Sequence, residues 1–396
     1  MRNLAITVPA VLSLVGLCAC NGLAQDDGAR TSTAPAADPG AVTPERSEGR
    51  GAVEVIGTDS LADATRVNAA IAASPPGSEI VFRGTFLLDQ TVRLTGRRAY
   101  RGESRSGTLF RQADGVNLPA LMASSVFLDD KTWTGSPISI RHLKLDGNAK
   151  NNTEAATTGI VLRAWLSVVE DVHIANMSGD GLRLTNLGIG GAKLNTTQVN
   201  GRISGCFIER SGRHGVFVED TQNKVTDWIL SDSWIAGSGA DGIHLDNAAG
   251  WCVERNHIYG VKGNAIHAHR LFATSIADNY IEGFGEGEEA GAWYGIRATL
   301  QGGAASTICG NRIFNFHGEK QPASDYRYLG VLVNYGTGVV SVTGNAIRGK
   351  GTPRGTGLHY TTLGETDLVV TSTGNIVHNV HTDRVVGDRV TLSAGL

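Results

Sequence analysis

Three histidines and an aspartate lie in two short segments whose central histidines are 23 residues apart. His244 and Asp246 belong to Gly-Ile-His-Leu-Asp, and His267 and His269 belong to Ala-Ile-His-Ala-His. In both segments polar residues alternate with apolar ones, as in a half-buried β-strand, so the four polar side chains should point away from the core. Imidazole accepts or donates a proton near neutral pH. The pattern therefore predicts acid–base chemistry on one outward face.

Such a set suits removal of the proton next to the carboxylate of a uronic acid. A base takes the proton, a cation stabilises the enolate-like intermediate, and an acid can protonate the leaving oxygen. We predict His244 or His267 as the base, Arg297 or Arg270 as the cation, and Asp246 as the group that holds a histidine in one tautomer. Cleavage would make the protein a polysaccharide lyase, and the same residues without cleavage would serve a C5 epimerase.

Paired carboxylates offer an alternative chemistry. Glu219 and Asp246 occupy equivalent positions in neighbouring repeats, which stacked strands would hold about 5 Å apart. Retaining glycosidases separate their two carboxyl groups by about 5 to 5.5 Å. The same pair could bind Ca²⁺. The sequence leaves lyase, epimerase and glycoside hydrolase open. No metal or other cofactor is required by the favoured mechanism, and Ca²⁺ is the metal that the carboxylates would suit.

Further polar and aromatic residues near these positions are predicted to bind the polysaccharide. They either share an outward position of the repeat or lie beside one. The set is Arg183, Glu219, Asp220, Asp241, His269, Arg270, Trp293 and Tyr294. A non-catalytic surface protein that only binds glycan is the alternative from a different functional class.

A repeat must position these residues. One element ends in Asn-x-Ile or a relative of it, and the next begins with Gly or Ala plus an aliphatic residue. In four repeats the step between them is 8 residues, for example from Ile235 to Ile243 and from Ile258 to Ile266. Short strands at this period, with 52 glycines for turns, predict an all-β, single-stranded right-handed parallel β-helix. The recurring asparagines, from Asn256 to Asn375, are predicted to form a structural ladder.

Alternation within the second element assigns the outward side chains. The first predicted outward row is Arg183, Phe217, His244, His267, Arg297, Leu332 and His359. The second is Thr185, Glu219, Asp246, His269, Thr299, Asn334 and Thr361. Longer steps between elements predict inserted loops at about 185–201, 283–293 and 315–329.

The segment before the repeats points to a known superfamily. A helical pattern over 59–71 precedes Pro75-Pro76-Gly77-Ser78-Glu79-Ile80-Val81-Phe82-Arg83-Gly84-Thr85-Phe86, and Leu145-Asp146-Gly147-Asn148 follows later. These features resemble the pectate-lyase-like superfamily, although Arg83 stands where that family usually has proline. The resemblance covers about residues 53–386 and implies a right-handed parallel β-helix with an N-terminal capping helix. It does not choose an activity, because the superfamily contains lyases, hydrolases, epimerases and phage spikes.

The N-terminal residues resemble a bacterial lipoprotein signal. Met1-Arg2-Asn3 is followed by an apolar run, and Leu17-Cys18-Ala19-Cys20 resembles a lipobox. We predict a signal peptide over 1–19, lipidation at Cys20, a flexible tether over 20–50 and the β-helix over 51–396. The protein would then be exported and held at the cell envelope by its lipid, or secreted if the signal is an ordinary cleaved one.

Charge and cysteine content exclude several classes. The net charge is −3, and basic residues are dispersed, so the footprint of a nucleic-acid-binding protein is missing. Beyond Cys20 only Cys206, Cys252 and Cys309 remain, without metal-type spacing, so we predict buried thiols. The oligomeric state is left open.

Overall fold

Short parallel strands stack coil upon coil in the computed structural model, which describes residues 52–315, 323–351, 353–393 and 395. The predicted signal peptide, Cys20 and the tether lie outside the described residues. The fold is an all-β solenoid, a right-handed parallel β-helix, as predicted. Among the described residues, no helix combines the length and the apolar character needed to cross a membrane.

The helices are α1 (Asp63–Ala73), α2 (Ser125–Leu128) and a 3₁₀ turn at Ala149–Asn151. The strands of the first half are β1 Val53–Ile56, β2 Glu79–Leu88, β3 Val92–Leu94, β4 Arg98–Gly102, β5 Thr108–Gln112, β6 Ala120–Ser124, β7 Ile138–Asp146, β8 Thr158–Leu162, β9 Val168–Met177, β10 Leu182–Thr185, β11 Arg202–Ser204, β12 Phe207–Ser211, β13 Val216–Glu219, β14 Ile229–Ser231, β15 Trp234–Ala236 and β16 Ile243–Leu245. Those of the second half are β17 Cys252–Glu254, β18 His257–Tyr259, β19 Ile266–Leu271, β20 Ser275–Ala277, β21 Tyr280–Glu282, β22 Ala292–Gln301, β23 Ser306–Cys309, β24 Arg312–Phe314, β25 Asp325–Tyr335, β26 Thr337–Thr343, β27 Ala346–Arg348, β28 Gly355–Thr362, β29 Asp367–Thr373, β30 Ile376–His378, β31 Thr382–Val386 and β32 Val390–Ser393.

Each central coil contributes one strand to each of three ladders. The site ladder runs β3-β6-β8-β10-β13-β16-β19-β22-β25-β28-β31. From the long strand β9 two more ladders continue, the second through β11, β14, β17 and onward, and the third through β12, β15, β18 and onward. All strand pairs in these ladders are parallel, because each coil advances the chain by one strand spacing.

The core is a column of aliphatic side chains inside the coils. Ile243, Ile266 and Ile296 fill equivalent inward positions of the site ladder, and each is completely buried. The predicted asparagine ladder is confirmed. Asn279 donates from Nδ2 to Oδ1 of Asn311 (2.9 Å) and accepts from Nδ2 of Asn256 (3.1 Å). The ladder therefore supplies partners for buried turn backbone in each coil.

The capping helix is present, but it begins later than the pattern suggested. Asp59 has a left-handed backbone (φ 52°) and lies in a turn, and α1 starts at Asp63. The buried Asp63 carboxylate accepts backbone N–H groups of Ser60 (3.0 Å) and Leu87 (3.2 Å). This contact joins the helix to β2, which explains why the aspartate marks the boundary.

The register prediction was wrong at one coil. Ile296 pairs with Leu329 and Arg297 with Gly330, so the predicted outward residue Leu332 instead pairs with Thr299. The sequence contains two neighbouring candidates for the inward aliphatic position, Leu329 and Val331, and the periodicity selected the wrong one. The predicted insertion over 315–329 is correspondingly shorter, because β25 begins at Asp325.

Cys206, Cys252 and Cys309 form no disulfide within the described part of the chain. Cys206 is buried, as predicted, whereas Cys252, the first residue of β17, and Cys309, the last residue of β23, are only partly buried.

Candidate functional site

Neighbouring coils bring three of the four predicted catalytic residues into one row. Phe217 pairs with His244, His244 with His267, and His267 with Arg297. Equivalent residues of stacked strands lie about 4.8 Å apart. Gly330 and His359 continue the row. The structure thus places His244, His267 and Arg297 side by side on the outer surface of the site ladder.

Next to this row, a bulge brings His269 towards His267. The pairing of β19 with β22 shifts between Ala268 and Leu271, and Arg270 has a left-handed backbone (φ 55°). The ring centroids of His267 and His269 are 4.0 Å apart. The bulge also directs Arg270 to Oε1 of Gln301 (2.8 Å). Arg270, predicted as an alternative cation, is therefore engaged away from the histidine row.

Asp241 is the centre of the cluster. Its Oδ2 lies 2.7 Å from Nδ1 of His244 and 3.2 Å from Nδ1 of His267. Its Oδ1 accepts the backbone N–H (2.7 Å) and Nδ2 (2.9 Å) of Asn264. Burial opposes ionisation of Asp241, but the hydrogen bonds from the two histidines outweigh it and hold the pKa of the carboxyl well below its ordinary value. Asp241, predicted to bind substrate, thus orients two imidazoles.

His244 lies between two carboxylates. Its Nε2 is 3.2 Å from Oδ1 of Asp246, in addition to the contact with Asp241. Burial lowers the pKa of His244, but the hydrogen bonds to Asp241 and Asp246 prevail and raise it to about 9. His244 is accordingly an imidazolium at neutral pH, and both of its N–H groups donate. Asp246 holds a histidine, as the sequence predicted.

His267 is in the opposite protonation state. Burial lowers its pKa, and the contact with Asp241 only partly compensates. Its Nε2 is buried and has no hydrogen-bond partner among the described residues. Because Nδ1–H donates to Asp241, Nε2 carries the lone pair. His269 is also neutral, since burial and the neighbouring histidines lower its pKa to about 4. An acid and a base thus stand next to each other.

His214 belongs to the same cluster and was not among the predicted site residues. Its Nδ1 accepts the backbone N–H of Asp241 (3.2 Å), and its ring centroid is 4.7 Å from that of His244. Burial and the charge of His244 lower its pKa to about 4. His214 lies three residues before the outward residue Phe217, which is the sequence feature that could have indicated it. Only the turn geometry shows that His214 accepts a hydrogen bond from Asp241.

Arg297 and Tyr294 form the other end of the site. The Arg297 guanidinium lies 5.4 Å from the Tyr294 ring centroid, and so does that of Arg327, which also donates to the Tyr294 hydroxyl. The ring lies over Gly330, where an added Cβ would be 2.4 Å from Cε1 of Tyr294. Gly330 is therefore needed for the position of Tyr294. Arg327 was not predicted, because its register depends on the corrected pairing.

Three predicted substrate-binding residues have other partners. Asp220 is 3% exposed and accepts backbone N–H groups of its own loop, including that of Val225 (2.8 Å). Arg183 and Glu219 form an ion pair with each other. Phe217 separates this pair from His244 along the row. Glu219 and Asp246 follow paired residues of neighbouring strands, as predicted, but Glu219 is bound to Arg183 and Asp246 to His244.

The loop before β22 forms a wall beside the cluster. A groove of about 440 Å³ extends from Asp241 and is bordered by Lys262, Glu288, Glu289 and Trp293. The loop is docked on the preceding turn, with Gly285 N–H donating to Gly263 O (2.7 Å). Trp293, predicted to bind sugar, therefore lines a groove that reaches Asp241, whereas His244 and His267 are not among the residues that line it.

Two sets of side chains could hold a metal ion. The ligand atoms of His244, His267 and His269 lie within 4.8 Å of one another, and so do those of His214, Asp241 and His244. Imidazole nitrogen suits Zn²⁺ and other transition metals, whereas Ca²⁺ requires oxygen ligands. The geometry of the cluster therefore fits a transition metal better than the calcium ion considered from the sequence.

Known proteins share this architecture. The family model described as right handed beta helix region matches residues 214–391. The A-module of mannuronan C-5 epimerase AlgE4 from Azotobacter vinelandii superposes with a TM-score of 0.51 at 17% identity, over 85% of this chain and 96% of that one. The AlgE6 A-module of the same organism gives 0.51 at 16% identity, over 86% and 97%.

A third similar structure comes from a virus. The N-terminal fragment of gene product 12 of bacteriophage Phi29 superposes with a TM-score of 0.50 at 12% identity, over 83% of this chain and 62% of that one. No curated protein sequence matches the chain. At these identities the comparisons establish the architecture: the chain has the right-handed parallel β-helix fold that epimerase modules and a phage protein share.

Proposed function

We propose that this protein is an enzyme that acts on a uronate-containing polysaccharide by removing the proton next to the sugar carboxylate. The observation that carries the proposal is the contact of both His244 and His267 with one buried aspartate, one coil away from Arg297; the opposite pKa shifts of the two histidines support it. Such a pair supplies an acid and a base at the same pH. The fold is also that of mannuronan C-5 epimerase modules, which supports a uronate polymer as the substrate class.

The residues divide the reaction between them. Nε2 of His267 is buried, so the proposed step requires side chains of the site to move when the sugar binds. This nitrogen then takes the C5 proton, and the electrons of the C–H bond move into the carboxylate, whose developing charge Arg297 stabilises. In the elimination, these electrons then form the C4–C5 double bond while the C4–O bond breaks. His244 gives a proton to the departing oxygen. The products are an unsaturated sugar and a new chain end.

The position of the two histidines favours elimination over epimerisation. Both belong to one row of the same ladder, so they approach the sugar from one side. Epimerisation needs a proton delivered to the opposite face of C5. We therefore favour elimination, in which the C5 proton is removed and the departing oxygen is protonated from the same side of the sugar. Epimerisation is the alternative outcome of the test.

The experiment incubates the chain with alginate, pectate and glycosaminoglycans. We expect ultraviolet absorbance from the new double bond with one of them. The variant His267→Gln should lose on the order of a hundredfold or more in kcat, because a positioned base contributes about that much. His142→Gln serves as the matched control, since His142 is a surface histidine of β7 that pairs with Asp171.

Other results would assign another function. Reducing ends released without absorbance would indicate a hydrolase, and altered sugar configuration without cleavage would indicate an epimerase. Polymer binding without any product would leave a glycan-binding protein. Full activity in His267→Gln would contradict the assignment of His267 as the base and of this cluster as the active site.

The proposed chemistry requires no metal ion. Proton transfer uses the imidazoles of His244 and His267, two of the three histidines that could also hold a metal ion. We therefore expect full activity after treatment with a chelator. Activity that is lost on chelation and restored by Zn²⁺ or Ca²⁺ would show that the cluster works as a metal centre instead.

A further inference from the structure

A second concentration of rings lies on the third ladder, apart from the histidine cluster on the site ladder. Parallel pairing aligns His173, Phe207, Trp234, His257 and Tyr280 on five successive strands of this ladder. We call these five residues the aromatic strip. At one coil spacing per residue it is about 19 Å long and follows the solenoid axis.

The rings are close enough to form one continuous surface. Successive ring centroids from His173 to Tyr280 are 4.8, 6.4, 4.1 and 4.2 Å apart. Beyond Tyr280 the Arg312 guanidinium lies 5.5 Å from the ring centroid and continues the row. The strip therefore ends on a cation.

The most open part of this surface is the corner between Trp234 of the strip and Tyr259 of the neighbouring outward column. Trp234 is 49% exposed, and Tyr259, at the next outward position of β18, is 37% exposed. Their ring centroids are 6.1 Å apart with planes at 86°. Tyr259 pairs with Ala236 of the neighbouring strand, and this small side chain leaves space beside the Trp234 ring. A planar ligand can thus contact one ring with its face and the other with its edge.

The core does not need these rings. The inward positions of the same strands are filled by completely buried isoleucines, namely Ile174, Ile208, Ile235, Ile258 and Ile281. Exposed aromatic surface is unfavourable in water, and contiguous exposed apolar patches generally mark binding sites. Trp234 is exposed and the other four rings of the strip are half-buried, so the strip offers ring edges and faces at the surface while the isoleucines fill the core.

We propose that the aromatic strip binds a polysaccharide chain that lies along the solenoid axis, at a second site separate from the histidine cluster. Polar groups border the rings: Glu209 lies 3.0 Å from Nε2 of His173, and Glu282 accepts from the Tyr280 hydroxyl (3.1 Å). Rings flanked by such groups can contact the apolar faces of sugars and hydrogen-bond their hydroxyls.

The shape of the strip distinguishes a glycan from a protein partner. A stable protein interface covers about 800 Å² on each side and has a broad apolar centre. The strip is one side chain wide, and the neighbouring outward column contains Glu209, Ala236, Tyr259 and Glu282 rather than aliphatic residues. A long, narrow surface suits an extended chain. The choice of polysaccharide as the ligand class rests on the proposed function.

Affinity electrophoresis measures binding of the full chain to the polymer on which it acts. If no product forms, binding to alginate, pectate and a glycosaminoglycan is measured instead. We expect Trp234→Ala with Tyr259→Ala to weaken binding about tenfold, which corresponds to about 1.4 kcal/mol. Trp165→Ala is the matched control, because Trp165 is similarly exposed (42%) but lies in the turn after β8. Thermal unfolding checks that each variant folds, and Tyr259→Ser alone provides a milder substitution.

The outcomes separate this proposal from the catalytic one. Unchanged polymer affinity in the double variant and in Tyr259→Ser would overturn the strip as a glycan site, even if the enzyme forms product. Loss of self-association in sedimentation, without a change in polymer affinity, would also overturn it and assign the strip to contacts between copies of the chain. Absence of product with normal, strip-dependent binding would overturn only the proposed catalysis.

Discussion

At the scale of single residues, the notable feature is that one carboxylate holds two histidines in different protonation states. Asp241 contacts Nδ1 of both His244 and His267. Only His244 has a second carboxylate, Asp246, at its other nitrogen. That extra contact explains why the pKa of His244 is raised while burial keeps the pKa of His267 low. Whether a histidine of this pair acts as acid or base thus depends on whether it contacts Asp246, two residues after His244.

The pH dependence of the proposed reaction follows from these shifts. The active form needs neutral His267 and charged His244. As pH rises through the lowered pKa of His267, below 6.5, kcat/KM should increase. It should fall again as pH rises through about 9, where His244 loses its proton. Rates measured from about pH 4 to about pH 10 check this.

Removing the second carboxylate provides the control for that profile. In Asp246→Asn the pKa of His244 should decrease, so the alkaline limb should move to lower pH. The acid limb should stay in place. A rate that still rises above pH 9 in the unchanged protein would contradict the assignment of His244 as the acid.

At the scale of elements, close packing between adjacent coils decides where the side chains of the site lie. Tyr294 crosses over β25 because Gly330 leaves room for its ring. The β19 bulge turns His269 towards His267 and Arg270 towards Gln301. Neither effect is a property of a single strand.

Gly330→Ala tests this packing. The added Cβ would lie 2.4 Å from the Tyr294 ring, so the ring and with it Arg297 must shift. We expect a loss of roughly 1 to 3 kcal/mol in the free energy of unfolding and at least about tenfold lower kcat/KM. Denaturant titration and rate measurements check both. Gly303→Ala is the control, because nothing lies within 4 Å of its added Cβ.

The asparagine ladder is a second element-scale feature with a measurable contribution. Asn279 is completely buried and donates to Val253 O (3.0 Å) as well as to Asn311. It also accepts the backbone N–H of Asn256 (3.0 Å). Asn279→Ala would leave these groups unpaired.

Because each unpaired buried group costs about 1 to 3 kcal/mol, Asn279→Ala should lower the free energy of unfolding by roughly 3 kcal/mol. Denaturant unfolding measures the loss. Asn195→Ala, at an exposed loop position, should change it by less than about 0.5 kcal/mol. Equal stability of the two variants would show that the ladder contributes little.

At the scale of the whole molecule, the solenoid separates functions along and around its axis. Each coil contacts mainly its neighbours, so insertions can change one coil without altering the others. The loop before β22 builds the groove beside Asp241 in this way. The third ladder carries the aromatic strip, so one chain can hold a polymer at one surface and act on it at another.

We further propose that Cys20 carries the lipid that anchors this solenoid to the cell envelope. The proposal depends on Leu17-Cys18-Ala19-Cys20 and the apolar run before it. Metabolic labelling with a fatty acid in a bacterial host should label the protein, and Cys20→Ser should abolish the label. Cys206→Ser is the control, since Cys206 is buried in the solenoid. Labelling that Cys20→Ser leaves intact would contradict the anchor.

The fold could be predicted from the sequence because its repeat depends on local spacing. The 8-residue step from Ile258 to Ile266 and the alternation around His267 assign inward and outward faces without knowledge of the neighbouring coils. Where the spacing was ambiguous, at Leu329 and Val331, the same reasoning assigned the faces correctly but chose the wrong pairing with the preceding strand. Only the pairing of β22 with β25 decides between them.

The candidate site also contains features that the sequence predicts and features that only the tertiary structure decides. Residue type and alternation determined that His244, His267 and Arg297 would share a row, since equivalent positions of stacked strands must lie side by side. Tertiary structure alone decided that Asp241 joins two histidines, that His214 supports it, and that Glu219 is bound by Arg183. These contacts arise where turns and side chains of different coils meet, and their distances, together with the burial that shifts each pKa, depend on packing that no spacing within one coil can specify.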